Sequence, residues 1–170
     1  MDWENIYNIL KMIHVISAVF LFGFGIGTAW FMLRAKQSGN LGVMAMAFNQ
    51  VVFADWCFTG SSGVIQIFTG LCMVTIKGYI LDLPDYQFSN LWVYGSIIGY
   101  GIAALCWFPV VGLQIKMARI ARTCVQQQTS PPPQFDRYYR SWLALGYPAF
   151  ISLVVVYYLM SNRPTSLGIY

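Results

Sequence analysis

The sequence predicts an all-α fold: a polytopic membrane protein built as a bundle of four transmembrane helices, with both termini on the outer side. Three observations predict it. Of 170 residues, 58% are hydrophobic and only 9% are charged, against about 25% charge in soluble chains. The mean hydropathy is +0.58. Residues 12–33 read MIHVISAVFLFGFGIGTAWFML without a formal charge, and roughly 20 apolar helical residues cross a bilayer core. The length suits a single membrane domain over residues 1–170, since no stretch could hold a second folded unit of about 50 residues. The net charge of +4 is clustered. It reads as an orientation signal rather than a nucleic-acid surface, so no nucleic-acid partner is expected.

The first helix is expected over residues 5–36, with its span at about 6–34. The chain opens on acidic residues (Asp2, Glu4), and the apolar run exceeds the roughly 7–15 residues of a signal-peptide core, so this helix is expected to be retained. Gly23 and Gly27 form a Gly-x-x-x-Gly pair, which lets helices approach closely in lipid. The Gly-Phe-Gly-Ile-Gly stretch lacks the strand–turn–helix context of a phosphate loop.

The second crossing is expected over about 61–78. The segment before it, residues 41–58, has helical content but carries Asn49, Gln50 and Asp55. Joined to the crossing, it would make about 38 residues and nearly 60 Å of helix at 1.5 Å each, about twice the hydrocarbon core. Two arrangements answer this: an amphipathic helix lying at the interface, or one long helix projecting into the cytosol. The glycines of Thr59-Gly60-Ser61-Ser62-Gly63 could bend or break the helix there.

The third helix is expected to cross at about 91–112 and continue into a basic tail ending near Arg122. Gly95 and Gly99 supply a second small-residue pair, a helix-packing or homodimer face. Residues 126–134 (QQQTSPPPQ) cannot continue a helix and form a spacer. The fourth helix is expected over 137–160, crossing at about 141–160. Pro109 and Pro148 fall inside spans, which membrane helices tolerate where neighbours satisfy the freed carbonyl.

Arg34 and Lys36 follow the first span, and Lys116, Arg119, Arg122, Arg137 and Arg140 flank the third connection. Lys and Arg concentrate on the cytoplasmic side, which places the first and third connections inside. Aromatic belts agree, with Trp3, Tyr7, Tyr79, Trp92, Tyr157 and Tyr158 at the outer boundary and Trp30, Trp56, Tyr138, Tyr139 and Trp142 at the inner one. The four cysteines show no Cys-x-x-Cys spacing and read as buried thiols rather than a disulfide framework or zinc site.

His14, the single histidine, lies roughly 12 Å below the outer end of its helix by helix rise. An ionisable group within a span is a functional-site candidate. Three roles are open: an imidazole hydrogen-bonded to Ser152, Thr69 or a carbonyl; an axial ligand to haem iron; or a proton relay or ion site. With one histidine, a second haem ligand would be Met73, Lys11, water, or His14 of a partner chain. Gln66 lies a little deeper. Asp55 sits near the inner boundary, where Gln114, Lys116 and Arg119 emerge, and an Asp55–Lys116 or Asp55–Arg119 pair would tie the second helix to the third. Lys116, Arg119 and Arg122 form a cationic face suited to the helix dipole and anionic lipid. No serine–histidine–acid set and no zinc motif is present.

These strings resemble a family of bacterial integral membrane proteins, domain of unknown function 2269. The carriers are Lys11-Met-Ile-His14, Ala54-Asp55-Trp56-Cys-Phe-Thr59, Val64-Ile-Gln66-Ile-Phe-Thr69-Gly70-Leu, Cys106-Trp107-Phe-Pro109-Val-Val-Gly-Leu-Gln114-Ile-Lys116-Met-Ala-Arg119 and Leu145-Gly146-Tyr-Pro148-Ala149-Phe150. The resemblance implies a four-helix bacterial inner-membrane protein with no assigned reaction. The Lys-x-x-His opening also resembles, over the first helix, copper-resistance protein D-like and membrane protoporphyrinogen oxidase-like proteins. In the latter, a histidine matching His14 is associated with haem. The resulting expectation is a haem- or quinone-associated redox or accessory subunit, with haem b at His14 and a homodimeric or oxidoreductase partner. The alternatives are a non-catalytic assembly subunit and a small transporter.

Overall fold

The computed structural model describes residues 2–164 and, among them, is all-helical. Helix α1 spans Trp3–Gln37. Asp2 caps it by accepting from the Asn5 amide at 3.3 Å. Glu4 lies in its first turn and Arg34 and Lys36 in its last, each sign opposing the helix dipole. The chain turns at Gly39, which holds φ +65°. Asn40 then caps α2 (Leu41–Ala54) by accepting from the amides of Gly42 and Val43 at 2.8 and 3.2 Å.

Helix α2 does not end at an interface. It passes through a π-helical turn, Asp55–Gly60, into α3 (Ser61–Thr75) and a second π turn, Ile76–Ile80, giving 40 residues without a break. Ala54, Asp55, Gly60 and Ser61 all hold right-handed helical dihedrals. The glycines therefore admit an extra residue into one turn rather than breaking the helix. Such π turns are rare and concentrate at functional sites.

After a short loop with a 3-10 turn (Pro84–Tyr86), α4 spans Leu91–Gln127 and ends at Gln128 in the left-handed region, φ 54°. The proline run then starts α5, Pro133–Asn162, with Pro133 in its first turn, where a missing N–H costs nothing. Four helices are long and apolar enough to cross a membrane. Their outward faces are apolar: Leu105, Met46 and Val64 are 75%, 71% and 69% exposed. Apolar surface all round is the signature of helices that face lipid.

Helix α4 packs along α5 and against α2, while α3 packs along α1. The second long helix thus changes its main neighbour at the π turn. The dense core sits at the end bearing the basic residues, where Met32, Phe48, Met117, Ala121 and Phe135 are sealed from outside. At the other end α3 and α4 part.

Two sequence expectations are corrected here. Gly95 and Gly99 do seat a helix: a Cβ on them would lie 3.0 Å from Leu159 and 2.8 Å from Val156 of α5. A Cβ on Gly23 or Gly27 would meet nothing within 4 Å, so this pair packs no helix among the described residues. Gly23 is exposed and Gly27 half-buried. The aromatic belts also thin out. Trp142, Trp92 and Tyr7 are buried, at 5%, 8% and 8% exposure; Trp92 donates its indole N–H to the Asp85 carbonyl in the loop before α4 at 2.8 Å, and the Lys77 ammonium covers the Tyr7 ring.

Candidate functional site

The buried residues of α1 (Tyr7, His14, Ser17, Thr28, Met32 and Ala35) fall on one stripe, and three of them are polar groups at membrane depth. Those of α3 (Ser62, Gln66 and Thr69) are all polar. In hydrocarbon such groups must find partners in the protein, so the two stripes face each other. His14 Nδ1 lies 2.7 Å from Thr69 Oγ1. Gln66 Nε2 donates to the His14 carbonyl at 2.6 Å and to Ser17 Oγ at 3.0 Å. Thr69 Oγ1 donates its one proton back to the Ile65 carbonyl at 2.6 Å. It therefore accepts from His14, which assigns the proton to Nδ1 and leaves the Nε2 lone pair free. Gly70 lies against the ring, and a Cβ there would sit 3.3 Å from Cε1.

Asp55 opens the π turn and is 3% exposed. Its Oδ1 accepts from Thr59 Oγ1 at 3.1 Å and shares the hydroxyl proton of Thr28 on α1, at 3.1 Å, with the Phe24 carbonyl, which lies closer at 2.8 Å. Its Oδ2 accepts from Gln114 Nε2 of α4 at 2.8 Å. The expected ion pair with Lys116 or Arg119 is absent and is corrected: both cations are exposed, and Lys116 lies over the Tyr138 ring, 5.5 Å from its centre. Residues 114 and 116 point about 200° apart on a helix of 3.6 residues per turn. If Gln114 faces inward, Lys116 must face out.

The Asp55 cluster borders a cavity of about 540 Å³ between the α1/α3 pair and the α4/α5 pair. Its lining is otherwise mostly apolar and includes exposed side chains of all the surrounding helices, among them Ile26 and Trp30 of α1, Val64 of α3, Phe108 of α4 and Tyr147 of α5, so it opens to the outer, apolar surface of the bundle. Three buried polar atoms on its lining residues have no hydrogen-bond partner: Trp107 Nε1, Trp142 Nε1 and Gln114 Oε1. Each such group is costly and calls for an explanation. A second cavity, about 340 Å³, is lined by His14, Gln66, Gly70, Trp92 and Met160. The two share Ile67, Tyr100 and Ala104, and the Tyr100 hydroxyl donates to the Gly63 carbonyl at 2.9 Å between them.

Comparison with known families decides the affiliation. The profile of the predicted integral membrane proteins termed DUF2269 matches residues 8–164. The chain belongs to the DUF2269 family. No curated protein and no solved structure matches it.

Within this DUF2269 protein the structure brings His14 and Gln66 into one polar cluster and Asp55 and Gln114 into another. Lys11 is exposed, and neither Lys11 nor Met73 lines the cavity that His14 lines. Met160 does, although nothing in its local sequence marks it out. Thr28 and Tyr100 also escaped notice. Thr59 was within reach, since it stands four residues from Asp55, one turn along the same face.

Proposed function

We propose that this DUF2269 protein binds a lipid-soluble molecule with a hydrogen-bonding head group, of the quinone class, and serves a membrane redox system as an accessory subunit in a bacterial inner membrane. One observation carries this reading. The residues lining one apolar cavity include three that carry buried polar atoms without protein partners, Trp107 Nε1, Trp142 Nε1 and Gln114 Oε1. Ligand sites combine an apolar wall with a few placed polar groups in this way. The exposed apolar lining suits entry from lipid, and two indole N–H groups suit a carbonyl or phenolic oxygen. Organic extraction of the purified protein, with the quinone measured by mass spectrometry, tests the reading. Retained quinone in the native chain, lost from the Trp107→Phe/Trp142→Phe double variant, supports it. Equal amounts in both, at the level of the surrounding micelle, would end it.

A second reading, haem b at His14, has its own support. A histidine whose Nδ1–H is held by an oxygen is set to ligate through Nε2. Haem there would supply one-electron chemistry, His14 would hold the iron, and Thr69 would orient the ring. Met160 borders the same cavity. Oxidised and dithionite-reduced absorption spectra of the native protein and His14→Ala test it. A Soret band absent from the variant supports it, and a colourless protein expressed with ample haem sinks it.

A further inference from the structure

The Asp55–Gln114 bond has a direction, and that direction determines what the cavity offers a ligand. Gln114 Nε2 donates to Asp55 Oδ2 at 2.8 Å, so the amide's other end, Oε1, is the unpartnered acceptor. An ionised carboxylate, which accepts only, fits this arrangement. Thr59 donates to Oδ1 at 3.1 Å, and Oδ2 is the oxygen at which a proton taken up by Asp55 meets the Gln114 amide. A protonated Oδ2 donates, and the neighbouring amide must turn over to accept through Oε1. Nε2, with its two N–H donors, then faces the cavity in place of the oxygen.

We propose that Asp55 and Gln114 form a protonation-linked donor–acceptor switch that selects between the reduced and oxidised forms of the quinone-class ligand; this rests on the cavity reading above. With Asp55 ionised, the cavity presents two indole donors and one acceptor. That set fits a phenolic hydroxyl, which accepts from an indole N–H and donates to Gln114 Oε1. With Asp55 protonated, the free groups are donors only, which fits a quinone carbonyl and leaves a hydroxyl proton unpaired. The switch takes up one proton and moves no electron. Among the described residues, no charged side chain bonds to Asp55 or shares the cavity with it: α1 contributes Thr28, the π turn Thr59, α4 Gln114 and Trp107, and α5 Trp142. The other ionisable groups lining the cavity are Tyr100, bonded to Gly63, and Tyr147 on the rim.

The test uses the full chain in detergent, with a decyl-tailed benzoquinone and, anaerobically, its hydroquinone. Affinities are measured from pH 5 to 8.5, below the ionisation of a phenol near pH 10. The ratio of hydroquinone to quinone affinity should rise about tenfold with pH in the native protein, the scale of one mispaired buried group. Asp55→Asn should hold the ratio flat, because its amide neither gains nor loses a proton over this range. Gln114→Leu, which keeps the carboxylate and removes the amide, should also be flat and carries the test if Asp55→Asn fails to fold. A flat ratio in the native protein, with both forms bound, overturns the switch and leaves the cavity reading standing. A pH-dependent ratio that persists in the variants overturns it too. Failure of either form to bind removes the cavity reading and the switch together.

Discussion

Asp55 and Gln114 meet at 2.8 Å across the point where the second helix exchanges its contact with α4 for one with α1. The bond ties the π turn to α4 at the place where the two helices begin to part. A neutral amide suits this position better than a cation. It satisfies one carboxylate oxygen while keeping a further polar atom for the cavity, and it avoids desolvating a second full charge.

Removing the carboxylate should therefore loosen the junction. Asp55→Ala strips the acceptor from Thr59 and Gln114 at once and leaves buried donors unpaired, while Thr28 keeps the Phe24 carbonyl. The expected loss is about 3 kcal/mol, with Asp55→Asn within about 1 kcal/mol of the native protein because it keeps most partners. Thermal unfolding in detergent, followed by circular dichroism, measures both. Equal stability of Asp55→Ala and the native chain would show that the network holds nothing together.

The two glycine pairs should respond in opposite ways. Gly99→Val forces atoms into Val156, where even a Cβ would stand at 2.8 Å, and should cost about 1–3 kcal/mol. Gly27→Ala meets nothing within 4 Å and should gain about 0.5–1 kcal/mol from the better helix former. The same unfolding assay ranks them. Destabilisation by Gly27→Ala would reveal a partner on that face, such as a second copy of the chain.

The contrast between these pairs marks how far the sequence is legible. Four apolar runs, the polar third connection and the turn residues gave the helices, since each depends on local composition. Gly23–Gly27 and Gly95–Gly99 carry the same motif, yet only the second seats a helix, because a small residue permits approach without choosing a partner. Trp142 reads as a belt residue by position along its helix and is a core residue by rotation about it. Asp55 stood out as a lone acid. Its partner did not, because neighbouring positions 114 and 116 differ only in which way they face. The cavity is a place where helices do not meet, and no residue pattern encodes that.

The one ion pair joining α1 to α5 has a defined pH response. Lys36 Nζ lies 2.6 Å from Asp136 Oδ1. Its hydrogen bond and charge hold the Asp136 carboxyl below the ordinary carboxylate range. A lowered folded-state value means the contribution is present above the unfolded value, near pH 4, and is lost as pH falls through the folded one. Asp136 is 61% exposed, so screening keeps the effect small. Asp136→Asn should be slightly less stable than the native protein at pH 7 and low salt. The two should converge in molar salt and below the carboxylate range. A gap that persists in acid would assign the effect to packing instead.

The tautomer of His14 is open to direct observation because the chain has no other histidine. Thr69 Oγ1 sits 2.6 Å from the Ile65 carbonyl and 2.7 Å from His14 Nδ1, and a hydroxyl has one proton to give. Thr69 back-bonds along its own helix, so the imidazole is the donor. Nitrogen-15 spectra of histidine-labelled protein should show the proton on Nδ1 at neutral pH. Thr69→Val keeps the side-chain shape, removes the acceptor and should cost about 1–3 kcal/mol. In that variant the proton should move toward Nε2, the form that solvent-exposed imidazole prefers when nothing holds Nδ1, whereas Thr69→Ser should keep it in place. A native protein already protonated at Nε2 would reverse the bond: Thr69 would donate to the ring, Nε2 would carry a hydrogen, and no lone pair would be left on that nitrogen for a metal.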